Sequence, residues 1–178
     1  MTATHPRRSG AQVLIDQLRI HGTDTIFGVP GESYLAALDA LYAQRNSIRY
    51  VICRQEGGAA NMAEAYGKLT GKPGVAFVTR GPGATNASIG LHTAFQDSTP
   101  MVLFIGQVAS DQRDREAFQE VDYRQMFGPG TLGMAKWVVE IDDPARRAPP
   151  GPRRGSWAWS PGARCARRPM HWWPPARA

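Results

Sequence analysis

Three nearly unbroken apolar runs, at residues 48–53, 74–79 and 101–106, alternate with segments of helical spacing at about 56–70 and 84–96. A strand with one face in water alternates apolar and polar residues, whereas a run without alternation is covered on both faces. This order of elements predicts an α/β domain in three layers, a mostly parallel sheet with helices on both faces. Upstream, Val13, Leu14, Leu18 and Ile20 predict a first helix over about 10–21, stopped by Gly22. Thr25-Ile26-Phe27-Gly28-Val29 reads as a short strand, Pro30-Gly31 turns the chain, and Ser33 is placed to cap a helix bearing Tyr34, Leu35, Leu38, Leu41 and Tyr42. Lys136-Trp137-Val138-Val139-Glu140-Ile141 reads as a last strand. The polar stretch 107–135 reads as an active-site loop with a short helix near 121–126.

The chain has 178 residues, enough for one domain with a full core. Its formal charge of +6 is confined to one end. Residues 1–147 carry 15 Lys and Arg against all 15 Asp and Glu, while residues 148–178 hold the other 6 arginines and no acid. Cys53 and Cys165 form no disulfide framework, and Cys53 reads as a buried strand residue in a reducing compartment. Without a long apolar window or export signal, the expectation is a cytoplasmic protein with no membrane association. Each of His5, His21, His92 and His171 stands alone, so no metal site is expected.

Composition sets the domain limits. Residues 1–9 are expected to be flexible, 10–146 to form the domain, and 147–178 to be a disordered tail rich in Arg, Pro and Trp. Residues 148–178 contain no Ile, Leu, Val, Phe or Lys, yet hold 7 of the 14 prolines and 4 of the 5 tryptophans. Such text has no periodic apolar face. It is read as the product of a shifted reading frame. The rival reading, a basic tail that binds nucleic acid, lacks any amphipathic pattern in its support.

Two small-residue loops carry the candidate chemistry. Glu56 opens the helix after the first apolar run, followed by Gly57-Gly58-Ala59-Ala60, and Gly81-Pro82-Gly83-Ala84-Thr85-Asn86 follows the second run. Taken alone, Glu56 could merely favour the first turn of a helix, and Asn86 could either donate across a site or cap a helix near Ala87. Gly81-x-Gly83-x-x-Asn86 lacks the third glycine of a dinucleotide fingerprint, and no acid follows at the right distance.

In sequence order, Phe27-Gly28-Val29-Pro30-Gly31, Glu56-Gly57-Gly58-Ala59-Ala60, Gly81-Pro82-Gly83-Ala84-Thr85-Asn86, Gly106-Gln107 and Ala117-Phe118-Gln119-Glu120 closely resemble the N-terminal pyrimidine-binding domain of thiamine diphosphate enzymes of the acetolactate synthase type. The resemblance runs from about Gly10 to Arg146. It implies that Glu56 hydrogen-bonds the pyrimidine ring nitrogen and thereby promotes proton loss from the thiazolium, acid–base catalysis relayed through the cofactor. It further implies a cofactor cradle of Pro30, Gly31, Glu56, Gly81, Gly83 and Asn86, with Gln107, Phe118 and Gln119 on the substrate side. Gln119 would hydrogen-bond a 2-keto acid or its adduct and counts with Glu56 as catalytic. The plainer roles for these three are a loop anchor and solvated side chains.

The implied activity is carboligation or decarboxylation of 2-keto acids, in acetolactate synthases a step of branched-chain amino acid biosynthesis. Phe27-Gly28-Val29-Pro30-Gly31-Glu32-Ser33 differs from the Tyr-Pro-Gly-Gly form usual in biosynthetic acetolactate synthases, which leaves glyoxylate, sulfoacetaldehyde and aryl-keto acids as alternative substrates. Gly128-Pro129-Gly130-Thr131-Leu132-Gly133 looks longer than the corresponding loop of the family. Mg²⁺ is expected in the full-length family, but the Gly-Asp-Gly that helps hold the diphosphate is absent here. The chain is thus expected to bind only the pyrimidine half of thiamine diphosphate and to be inactive alone. It would pair as a homodimer, or as a heterodimer with a full-length thiamine diphosphate enzyme. A non-catalytic regulatory module paired with such a homologue is the alternative.

Overall fold

The computed structural model describes residues 8–129 and 133–141. Residues 130–132 of the glycine loop, and the tail expected to be out of frame, lie outside the described residues. Helix α1 spans Gly10–Ile20 and begins with a reciprocal cap, in which Ser9 Oγ accepts from Gln12 N and the Gln12 side chain accepts from Ser9 N. Ser9 falls in the stretch expected to be flexible. It is followed by β1 (Thr25–Gly28), α2 (Leu35–Ala43), β2 (Arg49–Ile52), α3 (Glu56–Thr70), β3 (Gly74–Val78), α4 (Pro82–Asp97), β4 (Met101–Ile105) and the short α5 (Tyr123–Phe127). Single 3-10 turns occupy Glu32–Tyr34 and Ser110–Gln112.

The four strands form one parallel sheet in the order β2-β1-β3-β4, with Ile26 of β1 opposite Tyr50 on one side and Val75 on the other. Side chains alternate across β3. Val75 and Phe77 join Ile15, Ala37 and Leu41 on the α1–α2 face, whereas Val78 joins Ala60, Ala84 and Ala87 on the α3–α4 face. All five residues of β3 are buried, as its unbroken apolar run predicts. The runs of β2 and β4 are only partly covered, because each strand lies at a sheet edge among the described residues.

The α3–α4 layer is built from small residues, and Ala59, Ala60, Ala63, Ala84 and Ala87 are fully buried. A Cβ on Gly90 of α4 would stand 2.6 Å from the Ala60 carbonyl carbon, so the two helices touch backbone to backbone. Gly71, at φ 69°, ends α3 in the left-handed conformation that glycine adopts without strain.

Two local expectations are corrected. Ser33 does not cap α2; it lies in the 3-10 turn, and its hydroxyl is engaged with Thr79 Oγ1 at 2.9 Å. Lys136 to Ile141 is not a strand. Trp137, Val139 and Ile141 remain outward and exposed, and Glu140 is held by Arg113 at 2.5 Å and Arg124 at 3.3 Å. Side-chain anchoring replaces ladder pairing there. No helix among the described residues is long and apolar enough to cross a membrane.

Candidate functional site

From β1 the chain moves outward to β2, and from β3 it moves the opposite way to β4. The carboxyl ends of β1 and β3 therefore flank a topological switch point, the place where open parallel sheets leave a ligand crevice. The turns after these strands meet closely. A Cβ on Gly31 would lie 2.6 Å from Thr79 Cβ, and the Arg80 N–H donates to Ser33 Oγ at 3.3 Å.

Glu56 is the first residue of α3 and is half-buried at this edge. The Gln55 side chain accepts from Gly58 N at 2.9 Å and fixes the helix start. Asn86 Nδ2 donates to Glu56 Oε2 at 3.0 Å. Because α4 begins at Pro82, Asn86 lies inside the helix and caps nothing. The other carboxylate oxygen, Oε1, lies 3.5 Å from where a Cβ on Gly83 would stand, and that same Cβ would crowd Thr79 Cγ2 at 2.9 Å. Glycine at 83 thus lets the Thr79 side chain and Glu56 Oε1 pack close against the start of α4.

Gly81 adopts φ +59°, and a Cβ there would meet Gln119 Cβ at 2.8 Å. Its N–H donates to the Tyr123 hydroxyl at 2.8 Å. Burial raises the Tyr123 hydroxyl above its ordinary pKa, which keeps it protonated. Arg80 ties the region together, its guanidinium bound to Glu32 at 2.7 Å and its Nε donating to Phe118 O at 2.9 Å. The structure thus gathers Gly31, Glu56, Gly81, Gly83, Asn86 and the Gln119 backbone at one edge. Pro30 is exposed in the turn after β1.

Gln107 and Phe118 are placed differently. Both ends of the Gln107 amide are engaged with the backbone, donating to Val121 O at 3.0 Å and accepting from Val108 N at 2.9 Å. Phe118 is 72% exposed. Gln107 also borders an open cleft of about 420 Å³ beneath the 107–122 loop, with Arg113, Glu120, Asp122, Arg124 and Glu140. Neither Glu56 nor Asn86 lines that cleft.

Two tyrosines missed by sequence reasoning support the β1 turn. The Tyr34 hydroxyl donates to Val29 O and lies 3.2 Å from the Tyr50 hydroxyl, which fills the room left by Gly28. Burial, the Tyr50 hydrogen bond and the nearby Glu56 charge push the Tyr34 hydroxyl far above the ordinary tyrosine pKa, so it remains a donor. Periodicity marks Tyr34 only as part of an apolar stripe, and no local signal announces what its hydroxyl reaches.

This geometry agrees with the comparisons to known proteins. The family profile described as "Thiamine pyrophosphate enzyme, N-terminal TPP binding domain" matches residues 8–126. The chain belongs to the thiamine pyrophosphate enzymes. As such an enzyme domain it is 46% identical over 141 residues to the acetolactate synthase large subunit of Parasynechococcus marenigrum, covering 77% of this chain and 22% of that protein. It is 47% identical over 141 residues to the acetolactate synthase of Arthrospira platensis, covering 78% of this chain and 24% of the relative. Against the acetolactate synthase isozyme 2 large subunit of Escherichia coli it is 45% identical over 114 residues, 64% of this chain and 20% of the relative. The thiamine pyrophosphate enzyme domain described here therefore spans less than a quarter of the length of these three curated relatives.

Proposed function

We propose that this chain supplies the pyrimidine-binding half of a thiamine diphosphate site for carboligation or decarboxylation of a 2-keto acid, in the manner of an acetolactate synthase. The observation that carries this reading is the Glu56 carboxylate, held by Asn86 close to Gly83 at the switch point of the sheet. The residues fit the pyrimidine half of the cofactor: a hydrogen-bonding carboxylate at the switch point, flanked by the turns at Gly31 and Gly81. The diphosphate half is another matter, since the described residues contain no cluster able to hold a metal ion. Mg²⁺ and the diphosphate are assigned to residues other than those described, in another domain or on a partner subunit.

When bound, thiamine diphosphate supplies the electron sink for bond cleavage next to a carbonyl. Glu56 holds or passes a proton at the pyrimidine ring nitrogen. Gln119 is assigned to the substrate side through its place against Gly81, and Pro30 and Gly31 form the facing wall. The domain is assigned to residues 10–146, with 147–178 outside it. A second reading, a non-catalytic module that pairs with a full-length homologue, draws on the same absence of a metal-holding cluster among the described residues.

Thiamine titrated into the ¹⁵N-labelled chain tests the assignment. Amide shifts centred on Glu56, Gly83 and Asn86 and lost in Glu56→Ala are expected; shifts confined to the cleft bordered by Gln107 would defeat it. With pyruvate, thiamine diphosphate and Mg²⁺, the chain alone should show no turnover. Addition of a full-length homologue whose own pyrimidine site is disabled separates the two readings, because restored turnover requires a working Glu56.

A further inference from the structure

We infer that Asn86 is a positioning residue for Glu56 and not a direct ligand of the bound ring: its amide occupies Oε2 and leaves Oε1 as the oxygen presented to the pyrimidine. This rests on the function proposed above. A carboxylate only accepts hydrogen bonds, so the amide nitrogen is the end that faces it. The 3.0 Å separation from Nδ2 to Oε2 is that of an ordinary N–H···O hydrogen bond. It divides two otherwise equivalent oxygens, and Oε1 is the one next to Gly83.

The pair stands on a rigid base. Glu56 is the first residue of α3 and Asn86 lies in α4, and these helices touch at Gly90 and Ala60. Close to the site itself, a Cβ on Gly57 would come within 3.1 Å of Asn86 O. The backbone at neither end of the pair can shift without moving a helix. An unrestrained glutamate samples several rotamers, and ordering it on ligand binding costs free energy. Asn86 meets that requirement before any ligand arrives, which is preorganisation in its ordinary thermodynamic sense. The pairing also explains why a polar residue is held inside α4 where the helix needs no cap.

The test uses the full 178-residue chain and thiamine labelled with ¹⁵N in its pyrimidine ring. In the ligand-free protein, Glu56→Ala should move the Asn86 side-chain amide resonances and speed their exchange. Asn86→Ala should weaken thiamine binding about tenfold, the scale of one hydrogen bond to a charged group. At saturation it should also move the bound ring-nitrogen shift toward that seen in Glu56→Gln. Asn86→Asp, similar in size but with the donor replaced by a like charge, should weaken binding further. Asn86 is exposed, so these variants leave the core intact. If affinity falls while the bound ring-nitrogen shift stays at its parent value, Asn86 touches the ring directly and the inference is wrong. It is equally wrong if both Asn86 variants behave as the parent while Glu56→Gln loses the shift, though the proposed function then stands. Failure of the parent chain to bind millimolar thiamine would remove the function and the inference together.

Discussion

The α3–α4 layer and the 107–122 loop face the same carboxyl edge but are held by different means. In the first, buried alanines and glycines bring backbone against backbone, and Glu56 and Asn86 inherit their positions from that contact. In the second, polar side chains clasp the main chain: Glu120 accepts from Asp114 N at 2.7 Å and Ala117 N at 3.1 Å, while Gln107 grips Val108 and Val121. The loop also holds Asp114, Glu116 and Gln119 at positive φ without glycine, a conformation that needs such support. Packing that depends on shape fails all at once; a loop held by separate bonds loosens one clasp at a time.

Gly90→Val attacks the first region most directly. The added carbons would meet backbone at Ala60 and Asn61 that has no side chain to move aside, and overpacking of this kind costs about 3 kcal/mol. Urea unfolding measures it, and a loss under about 1 kcal/mol would mean that the helices part easily. Tyr123→Phe probes the boundary between the regions. It leaves the buried Gly81 N–H without its acceptor, at a cost of about 2 kcal/mol, and should increase amide exchange at Gly81 while Ala60 stays protected.

Gln107→Ala should remove about 1 kcal/mol and raise hydrogen exchange at Val108 and across the loop, with α3 and α4 unchanged. Exchange that rises equally in both regions would erase the distinction between them. The mildest perturbation is pH. Hydrogen bonds from the Asp114 and Ala117 backbone, with the first the stronger, hold the Glu120 carboxyl below its ordinary value of 4.5. A carboxylate depressed in the folded state stabilises the loop above its unfolded pKa, and that contribution is lost as pH falls through the folded value. Acidification below 4.5 should therefore loosen residues 114–120 first, as read by amide shifts, and Glu120→Gln should flatten that transition.

The two regions were not equally legible in the sequence. The limits of α3, the small-residue character of α3 and α4 and the all-buried β3 follow from spacing and apolar content, which are local properties. Glu56 and Asn86 were named as candidates, but their hydrogen bond joins positions 30 apart and depends on where two helices cross. Ser33 has the composition of a cap, yet the 3-10 turn carries its hydroxyl to Thr79 instead. Residues 136–141 have the composition of a strand, but a strand requires a neighbour, and here ion pairs at Glu140 hold the segment. The support from Tyr34, Tyr50 and Tyr123 was invisible because a hydroxyl's partner lies in another part of the chain.

The strand order has a consequence for assembly in time. β1 is made first and lies inside the sheet, yet its neighbour β3 follows α2, β2 and α3 in the chain. During synthesis β1 can pair only with β2, and its other edge stays open until residues 74–78 emerge. Closing that non-local pairing is the slow, entropically costly step in a sheet of this kind. The switch point between β1 and β3 is created by the same event, so the proposed binding edge appears with the completed core and has no shorter precursor on the ribosome.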